Sequence, residues 1–259
     1  MKALHIAATG MKAQELNVEV ISNNVANMRT TGYKRQRADF QDLLYQNLRR
    51  MGTDSSNAGT IVPTGVQIGS GVKTAATARI MTQGTIEQTG KDMDVAIRGE
   101  GFFQIQLPDG TTAYTRDGSF ERDANGTLVT IDGYTLDPGI VIPNDARDLT
   151  ISANGTVQAV VGVATQQFGQ IQLARFVNKS GLEAIGDNLY LETEASGQPQ
   201  VGIPGEEGYG DLQQSYLEMS NVDAVSEISD LIAAQRAYEM NSRIIQAADE
   251  MYSTTTNIR

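Results

Sequence analysis

The two ends of the chain carry the residue spacing of amphipathic helices, and the long stretch between them does not. The pattern predicts one helix over Met1–Met28 and another over Leu212–Ile258. The middle is rich in turn residues and in short alternating runs, which are typical of β-structure. The sequence therefore predicts an α+β chain. A discontinuous terminal α-helical coiled-coil domain is joined through an extended linker region to a central antiparallel all-β domain.

The apolar residues at both ends recur at alternating three- and four-residue steps, the spacing of a coiled-coil contact line. The first line comprises Leu4, Ala7, Met11, Gln14, Val18, Ile21, Val25 and Met28. The second comprises Ile228, Leu231, Gln235, Tyr238, Ser242, Ile245, Asp249 and Tyr252. Both lines are thin, and an isolated helix of this kind is marginal in water. The helices either pack as ordinary helices on one core, or become ordered only against each other and neighbouring subunits; the polar members favour the second explanation.

Charge supports pairing of the two ends. Residues 1–50 hold eight Lys or Arg and four Asp or Glu, a net charge of +4, whereas residues 206–259 hold three and ten, a net charge of −7. Opposite charges favour association of the two helices with each other over self-pairing of either.

The middle of the chain is punctuated by Asp-Gly and Asn-Gly pairs, which tolerate the positive φ that tight hairpin turns need. They stand at 109–110, 117–118, 125–126, 132–133 and 154–155. Strand-like runs cover 101–107, 127–131 and 169–176. Such short turn spacing fits antiparallel β-structure. We therefore expect a β-domain over 91–204, a terminal helical domain over 1–30 and 212–259, and an extended connecting region over 31–90 and 205–211.

Residue types that carry catalysis are scarce. His5 is the single histidine and there is no cysteine, so a multi-histidine metal site and a thiol nucleophile are excluded. Asp92 and Asp94 are too weak a signal for a cation site. A calcium loop starting at Asp123 would need an acid where Tyr134 stands. We expect no enzymatic activity, no cofactor and no metal.

The basic residues Arg29, Lys34, Arg35 and Arg37 form the one local cluster that could suggest a nucleic-acid surface. The net charge of the chain is −11 and a single aromatic residue, Tyr33, lies nearby, so we expect a charged surface just past a helix end and no nucleic-acid binding. No apolar run is long enough to span a bilayer, and the start lacks the apolar core of a signal peptide. We expect no direct membrane insertion.

Longer motifs carry a family resemblance. The segment Ser22–Asn27 followed by Thr31–Arg35 resembles the N-terminal signature of the bacterial flagellar rod and hook axial proteins. Leu217–Asp223 and Leu231–Ser242 resemble the C-terminal signature of the same family. Asp94–Phe103 and Tyr114–Phe120 in the body are similar to its distal rod members.

The resemblance implies a structural subunit of the flagellar distal rod, a homo-oligomeric helical tube that transmits torque across the periplasm. Its implied partners are proximal rod proteins, the hook protein, and the peptidoglycan-associated and outer-membrane flagellar rings. It implies export by the flagellar type III system without a cleaved signal. We expect subunit contacts at positions of the terminal helices: Leu4, Met11, Gln14, Val18, Ile21, Asn23, Asn24, Val25, Asn27, Ile228, Leu231, Gln235, Arg236, Tyr238, Asn241 and Ile245.

The stretch 46–63 discriminates within the family, because an added segment here resembles the distal rod members and its lack marks the hook protein. The implied role is to stiffen the rod, through residues that include Gln46, Arg49, Arg50, Gly52, Ile61 and Pro63. Two alternatives remain: a hook or proximal rod protein of the same family, and a secreted β-rich carbohydrate-binding protein. The second is disfavoured because the chain has no tryptophan.

Overall fold

The chain has a helix near each end and a β-rich region between them, as the sequence predicts. The computed structural model describes residues 2–49, 64–162 and 164–257. These residues fall into two compact units. One draws on Met1–Val25, Gln36–Ala78 and Ala224–Arg259, and the other on Ala26–Arg35 and Arg79–Asp223. We call them the helical unit and the β-unit.

The helical unit contains two helices and two strand pairs. Helix α1 covers Lys2–Ala26 and helix α2 covers Ala224–Asn257. The strands are β1 (Gln36–Asp42), β2 (Tyr45–Arg49), β3 (Val66–Gly69) and β4 (Val72–Arg79). Strand β1 pairs with β4, and β2 pairs with β3 in antiparallel register. With 34 residues, α2 is about 51 Å long at 1.5 Å per residue.

The β-unit contains the remaining strands and one short 3₁₀ helix, Lys179–Gly181. The strands are β5 (Ile86–Gln88), β6 (Val95–Arg98), β7 (Phe102–Gln106), β8 (Thr112–Thr115), β9 (Glu121–Arg122), β10 (Leu128–Val129), β11 (Thr135–Leu136), β12 (Ala146–Ile151), β13 (Thr156–Val161), β14 (Ala164–Gln170), β15 (Leu173–Arg175), β16 (Glu183–Gly186), β17 (Leu189–Leu191), β18 (Gln200–Gly202), β19 (Asp211–Gln214) and β20 (Tyr216–Glu218). The largest sheet places β7 between β8 and β11, and β15 also pairs with β7. Strands β12, β13 and β14 form a second sheet, and β19 and β20 pair with β6 and β5.

Strand β7 lies at the centre of the β-unit and is buried on both faces. Phe103 and Ile105 belong to the larger apolar cluster, whereas Phe102 belongs to a smaller one. The ring of Phe103 meets that of Phe120 edge-on at 5.0 Å, and Phe102 meets Phe176 at 5.9 Å. Successive side chains of a strand point to opposite faces, so one strand organises both cores.

Two sequence-based boundaries are wrong. The predicted helix over Leu212–Ile258 begins only at Ala224, because Leu212 pairs with Ile97 in a strand and Leu217 pairs with Glu87. The segment Ser220–Asp223 is rich in residues that favour helix caps over helix interiors. The predicted strand 169–176 is likewise divided, since β14 ends at Gln170 and β15 starts at Leu173.

Gly118 shows a second reason for a glycine in a turn. Four of the five predicted turn glycines have positive φ, but Gly118 does not. A Cβ atom there would lie 1.7 Å from the backbone oxygen of Val95. The two backbones are also hydrogen-bonded, because the Val95 N–H donates to the Gly118 carbonyl at 3.0 Å. Gly118 is therefore required by close backbone approach, not by a left-handed turn.

Candidate functional site

The two helices of the helical unit lie side by side in antiparallel orientation. Near one end of the pair, the Asn24 amide donates to the Glu227 carboxylate at 3.1 Å. Near the other, a Cβ atom on Gly10 would lie 2.9 Å from the Asn241 amide nitrogen. Fourteen residues separate Gly10 from Asn24, and fourteen separate Glu227 from Asn241. Fourteen residues are close to four helical turns, so the two contacts lie on the same face of each helix.

Asn24 also ties α1 to the start of β1. Its side-chain amide accepts a hydrogen bond from the Gln36 N–H at 2.9 Å and donates one to the Gln36 carbonyl at 2.8 Å. Asn24 and Glu227 are only 1% and 0% exposed. A buried polar pair of this kind stabilises only when it is hydrogen-bonded, and here one amide connects three elements of the unit.

The predicted contact positions on the helices differ in burial. Two of them are buried, namely Ile21 and Asn24. Nine are half-buried: Leu4, Met11, Gln14, Val18, Val25, Asn27, Leu231, Asn241 and Ile245. The remaining five are exposed: Asn23, Ile228, Gln235, Arg236 and Tyr238. The buried line on α2 runs through Glu227, Ala234 and Ala248. The apolar spacing in the sequence predicts that this line starts one residue later, at Ile228, because a search for apolar residues does not detect a buried glutamate.

Helix α2 presents exposed apolar side chains away from this buried line. Val225, Ile228 and Ile232 are 75%, 51% and 54% exposed. Their spacing of three and four residues places them on one stripe. Met240, Ile244 and Met251 form a second exposed stripe further along the helix. A single chain therefore leaves two rows of apolar side chains exposed along α2.

The β2–β3 hairpin presents a further apolar surface. Leu44 and Leu48 are 88% and 62% exposed, and an isolated two-stranded hairpin is marginal in water. Gln46 and Arg49 of the predicted stiffening stretch lie on β2, where Gln46 accepts a hydrogen bond from Lys2. Its other named residues, Arg50, Gly52, Ile61 and Pro63, lie outside the described residues.

In the β-unit, Glu218 lies at the centre of a buried group of charges, which we call the Glu218 junction: Lys34, Arg116 and Glu218. The Lys34 ammonium donates to Glu218 Oε1 at 2.5 Å and to the Thr82 carbonyl at 2.9 Å. Arg116 Nη1 lies 3.3 Å from Glu218 Oε2, and its Nη2 donates to the Gly99 carbonyl at 2.8 Å. The three charged residues are at most 3% exposed. One carboxylate therefore serves two buried cations.

Burial governs the electrostatics of the Glu218 junction. Desolvation lowers the pKa of the Lys34 ammonium, although the Glu218 carboxylate opposes this shift. Desolvation also lowers the pKa of the Arg116 guanidinium, again opposed by Glu218. The guanidinium lies over the Phe102 ring, 5.3 Å from its centroid. Both cations thus depend mainly on Glu218 for compensation of their charge, with a smaller electrostatic contribution from Glu100.

Hydrogen bonds to backbone groups add to the contacts around the Glu218 junction. The Gly32 N–H donates to the Glu218 carbonyl at 2.8 Å, and the Gly84 N–H donates to Glu218 Oε1 at 2.9 Å. Asn221 accepts from the Arg35 N–H at 2.7 Å and donates to the Ile80 carbonyl at 2.8 Å. Segments distant in sequence, Thr31–Arg35 and Leu217–Asp223, are therefore joined side by side.

The expectation that the basic cluster forms a charged surface is wrong for Lys34, which is 1% exposed. Its partner Glu218 lies 184 residues away, so local charge counting could not reveal the pair. One signal was available: Lys34, Arg116 and Glu218 each fall inside a motif that carried the family resemblance. Arg29 and Arg37 are exposed, as expected of a surface.

No group of three or more His, Cys, Asp or Glu among the described residues has the arrangement of a metal site. His5 lines a groove of about 250 Å³ with Lys2, Ile6, Gln46, Ile68, Gly69 and Ser70. Within the residues that the structure describes, neither helix combines the length and apolarity needed to cross a bilayer.

Comparison with known proteins agrees with these motifs. The model described as "Flagella basal body rod protein" matches residues 4–34, that of the "Flagellar hook protein FlgE/F/G D1 domain" matches 96–159, and that of the "Flagellar basal body rod FlgEFG protein C-terminal" matches 213–258. The Glu218 junction draws one residue from each matched region: Lys34, Arg116 and Glu218.

Relatives at full length are named "Flagellar basal-body rod protein FlgG". The Caulobacter vibrioides protein is 58% identical over 100% of both chains, and the Agrobacterium fabrum protein is 56% identical over 98% of this chain and 97% of its own. The Borreliella burgdorferi protein is 49% identical over 100% of this chain and 99% of its own. The chain therefore belongs to the FlgG family of flagellar basal-body rod proteins, a family of structural subunits rather than enzymes.

Proposed function

We propose that this rod subunit polymerises into a straight, stiff helical tube, the distal rod, which transmits torque from the motor to the hook. The observation that carries the proposal is the exposed apolar stripe on α2, formed by Val225, Ile228 and Ile232. A free helix with this surface loses apolar contact with water only when another subunit covers it. Copies of the same chain supply that cover through a head-to-tail contact that does not close, which generates a helical assembly.

The terminal helices act in this proposal as a coiled-coil polymerisation domain. The side-by-side packing of α1 and α2, with contacts at Asn24–Glu227 and at Gly10–Asn241, supports it. We assign residues 1–30 and 224–257 to this domain, because 212–218 pair with strands of the β-unit. Residues 91–204 are assigned to a central antiparallel β-domain, and 31–90 with 205–211 to the connecting region. Of the sixteen helix positions predicted from sequence, Ile21 and Asn24 are buried within the subunit, and the other fourteen are proposed contact positions between subunits.

The stretch 46–63 is proposed to stiffen the tube by adding contacts between subunits. Support comes from the exposed side chains of Leu44, just before the stretch, and Leu48, within it, which the two-stranded hairpin cannot cover by itself. Deletion of 46–63 is expected to leave polymerisation intact and to shorten the persistence length of the tubes in electron micrographs. Tubes of unchanged stiffness would contradict this role.

The proposed location is the periplasmic part of the basal body, reached through the flagellar type III export system without a cleaved signal. The proposed partners are proximal rod proteins on one side, the hook protein on the other, and the peptidoglycan-associated and outer-membrane rings around the tube. These assignments rest on membership of the rod family. A test is to isolate basal bodies from cells that carry a tagged chain and to locate the tag by electron microscopy.

The experiment that tests polymerisation replaces the exposed stripe. Ile228→Asp and Ile232→Asp introduce charge at half-exposed positions, so the free subunit should keep its thermal transition while tube formation is lost. Val177→Asp is the matched control, because Val177 is 82% exposed and lies in the β-unit. Polymerisation followed by light scattering and electron microscopy gives the readout. Unimpaired tubes from both α2 variants would reject the proposal.

A further inference from the structure

The Glu218 junction has an unequal charge balance, because two buried cations share one carboxylate. Lys34 and Arg116 reach different oxygens of Glu218, at 2.5 Å and 3.3 Å. Removal of one partner from a buried ion pair leaves an uncompensated charge and is strongly destabilising. Without Glu218, the junction would enclose two like charges whose hydrogen-bond acceptors are the carbonyl oxygens of Thr82 and Gly99, and the Glu100 carboxylate would act on them only through the weaker electrostatic interaction that it already makes.

The segment that carries Lys34 cannot dock in a loose arrangement. Gly32 has φ of +67°, and a Cβ atom there would lie 2.7 Å from the Asp117 backbone nitrogen. The docked chain at Thr31–Arg35 therefore lies directly on the backbone beside Arg116. Docking brings Lys34 and Arg116 into one water-poor site, which is favourable only if an anion is already present or arrives at the same time.

We infer that Glu218 makes docking of Thr31–Arg35 onto the β-unit conditional on the C-terminal segment Tyr216–Asn221. Glu218 supplies the only carboxylate that bonds to both cations among the described residues. Its backbone carbonyl also accepts from Gly32, and Asn221 holds Arg35. The segment after α1 consequently stays undocked until residues near the end of the chain have reached the β-unit.

The order of chain delivery gives this dependence a consequence, which rests on the proposed function. A chain that emerges with its N-terminus first presents Lys34 and Arg116 well before Glu218. Two solvated like charges then keep Thr31–Arg35 open, and the segment closes only after Glu218 has reached the junction. Closure at the site of assembly, after passage of the whole subunit, follows from the position of Glu218 in the sequence.

Hydrogen–deuterium exchange on the full-length free subunit tests the inference without any need for polymerisation. Glu218→Gln should speed amide exchange in peptides covering 31–35 and 114–118 at least about tenfold, while β13 remains protected. Glu207→Gln makes the same chemical change at an exposed position and should leave both peptides unchanged. Equal protection in Glu218→Gln and the unmodified chain would overturn the inference.

A second pair of variants separates charge compensation from simple loss of contacts. Lys34→Met leaves Arg116 and Glu218 as a balanced pair, so the 31–35 peptide should stay protected. Lys34→Met combined with Glu218→Gln buries one uncompensated cation instead of two and should recover part of the protection lost in Glu218→Gln. Protection in the double variant at or below that of Glu218→Gln would refute the charge argument, even if the subunit still polymerises.

Discussion

The Asn24 amide donates to the Glu227 carboxylate at 3.1 Å although 203 residues separate them in the chain. Both side chains are buried, and Asn24 also exchanges two hydrogen bonds with the Gln36 backbone. This single amide therefore joins both helices and the first strand of the helical unit. Its loss would remove three hydrogen bonds from a buried site, and each such bond contributes about 0.5–1.5 kcal/mol.

We accordingly expect Asn24→Ala to lower the free energy of unfolding by about 2–4 kcal/mol, because three hydrogen bonds at a buried site are lost together. Asn17→Ala, at a half-buried position of the same helix, is the control for the change in helix propensity and should be close to neutral. Urea denaturation followed by circular dichroism at 222 nm measures both. Equal midpoints for the two variants would show that the Asn24 network contributes nothing.

Two glycines with positive φ separate backbone strain from steric collision. Gly90 has φ of +75° and open space where a Cβ would stand, whereas Gly32 has φ of +67° and would place its Cβ 2.7 Å from a backbone nitrogen. Gly90→Ala should cost about 1–2 kcal/mol from strain alone. Gly32→Ala should cost roughly a further 1–3 kcal/mol because backbone atoms must move. Thermal unfolding of both variants decides the matter, and a smaller loss for Gly32→Ala would be inconsistent with the close approach.

The sequence predicts the local elements better than the contacts between them. Helix α1 and the turn at Gly110 follow from spacing and from residue type alone. Leu212 fits a helical pattern equally well, but pairing with Ile97 places it in a strand. Periodicity describes one segment at a time, so it carries no information about which distant strand offers a partner.

The candidate site was harder to predict because its chemistry depends on burial. Lys34 carries the residue type of a surface position, and only the carboxylate of Glu218 allows it to be enclosed. Glu227 likewise interrupts the apolar line of α2, and its buried carboxylate accepts a hydrogen bond from Asn24. The motifs nevertheless marked the right segments: Thr31–Arg35 and Leu217–Asp223 proved to be neighbours.

Tyr114 gives a pH dependence with a defined sign. Burial, followed by the negative charge of Glu192, raises the pKa of its phenol from 10.0 to about 12. A pKa raised in the folded state means that the neutral phenol stabilises the fold below pH 10, and that this contribution is lost as the pH rises from 10 towards 12. The loss is below about 3 kcal/mol for two pH units, and smaller because Tyr114 borders an open groove.

Tyr114→Phe should therefore reduce the fall in stability between pH 9 and pH 11 relative to the unmodified chain. The measurement is the difference in urea midpoint between the two pH values. Tyr134→Phe is the control, since it removes a phenol elsewhere in the β-unit. A fall of the same size in the unmodified chain and in Tyr114→Phe would mean that folding does not raise the pKa of the Tyr114 phenol.

Helix α2 has little to hold it in a free subunit. Among its described side chains only Glu227, Ala234 and Ala248 are buried, and two of these are small alanines. Burial of so little apolar area contributes little against the entropy of ordering 34 residues. Strand β7 differs because Phe102, Phe103 and Ile105 are fully enclosed.

Amides of α2 should therefore exchange at least about tenfold faster than those of β7 in the free subunit, because local opening needs less free energy where fewer side chains are buried. On polymerisation the exchange of α2 should slow, as neighbouring copies cover Ile228 and Ile232, while that of β7 should remain unchanged. Mass spectrometry of deuterated peptides from free subunits and from sedimented tubes provides the comparison. An α2 as protected as β7 before polymerisation would show that the helix is stable without its neighbours, and that assembly requires no ordering of this end of the chain.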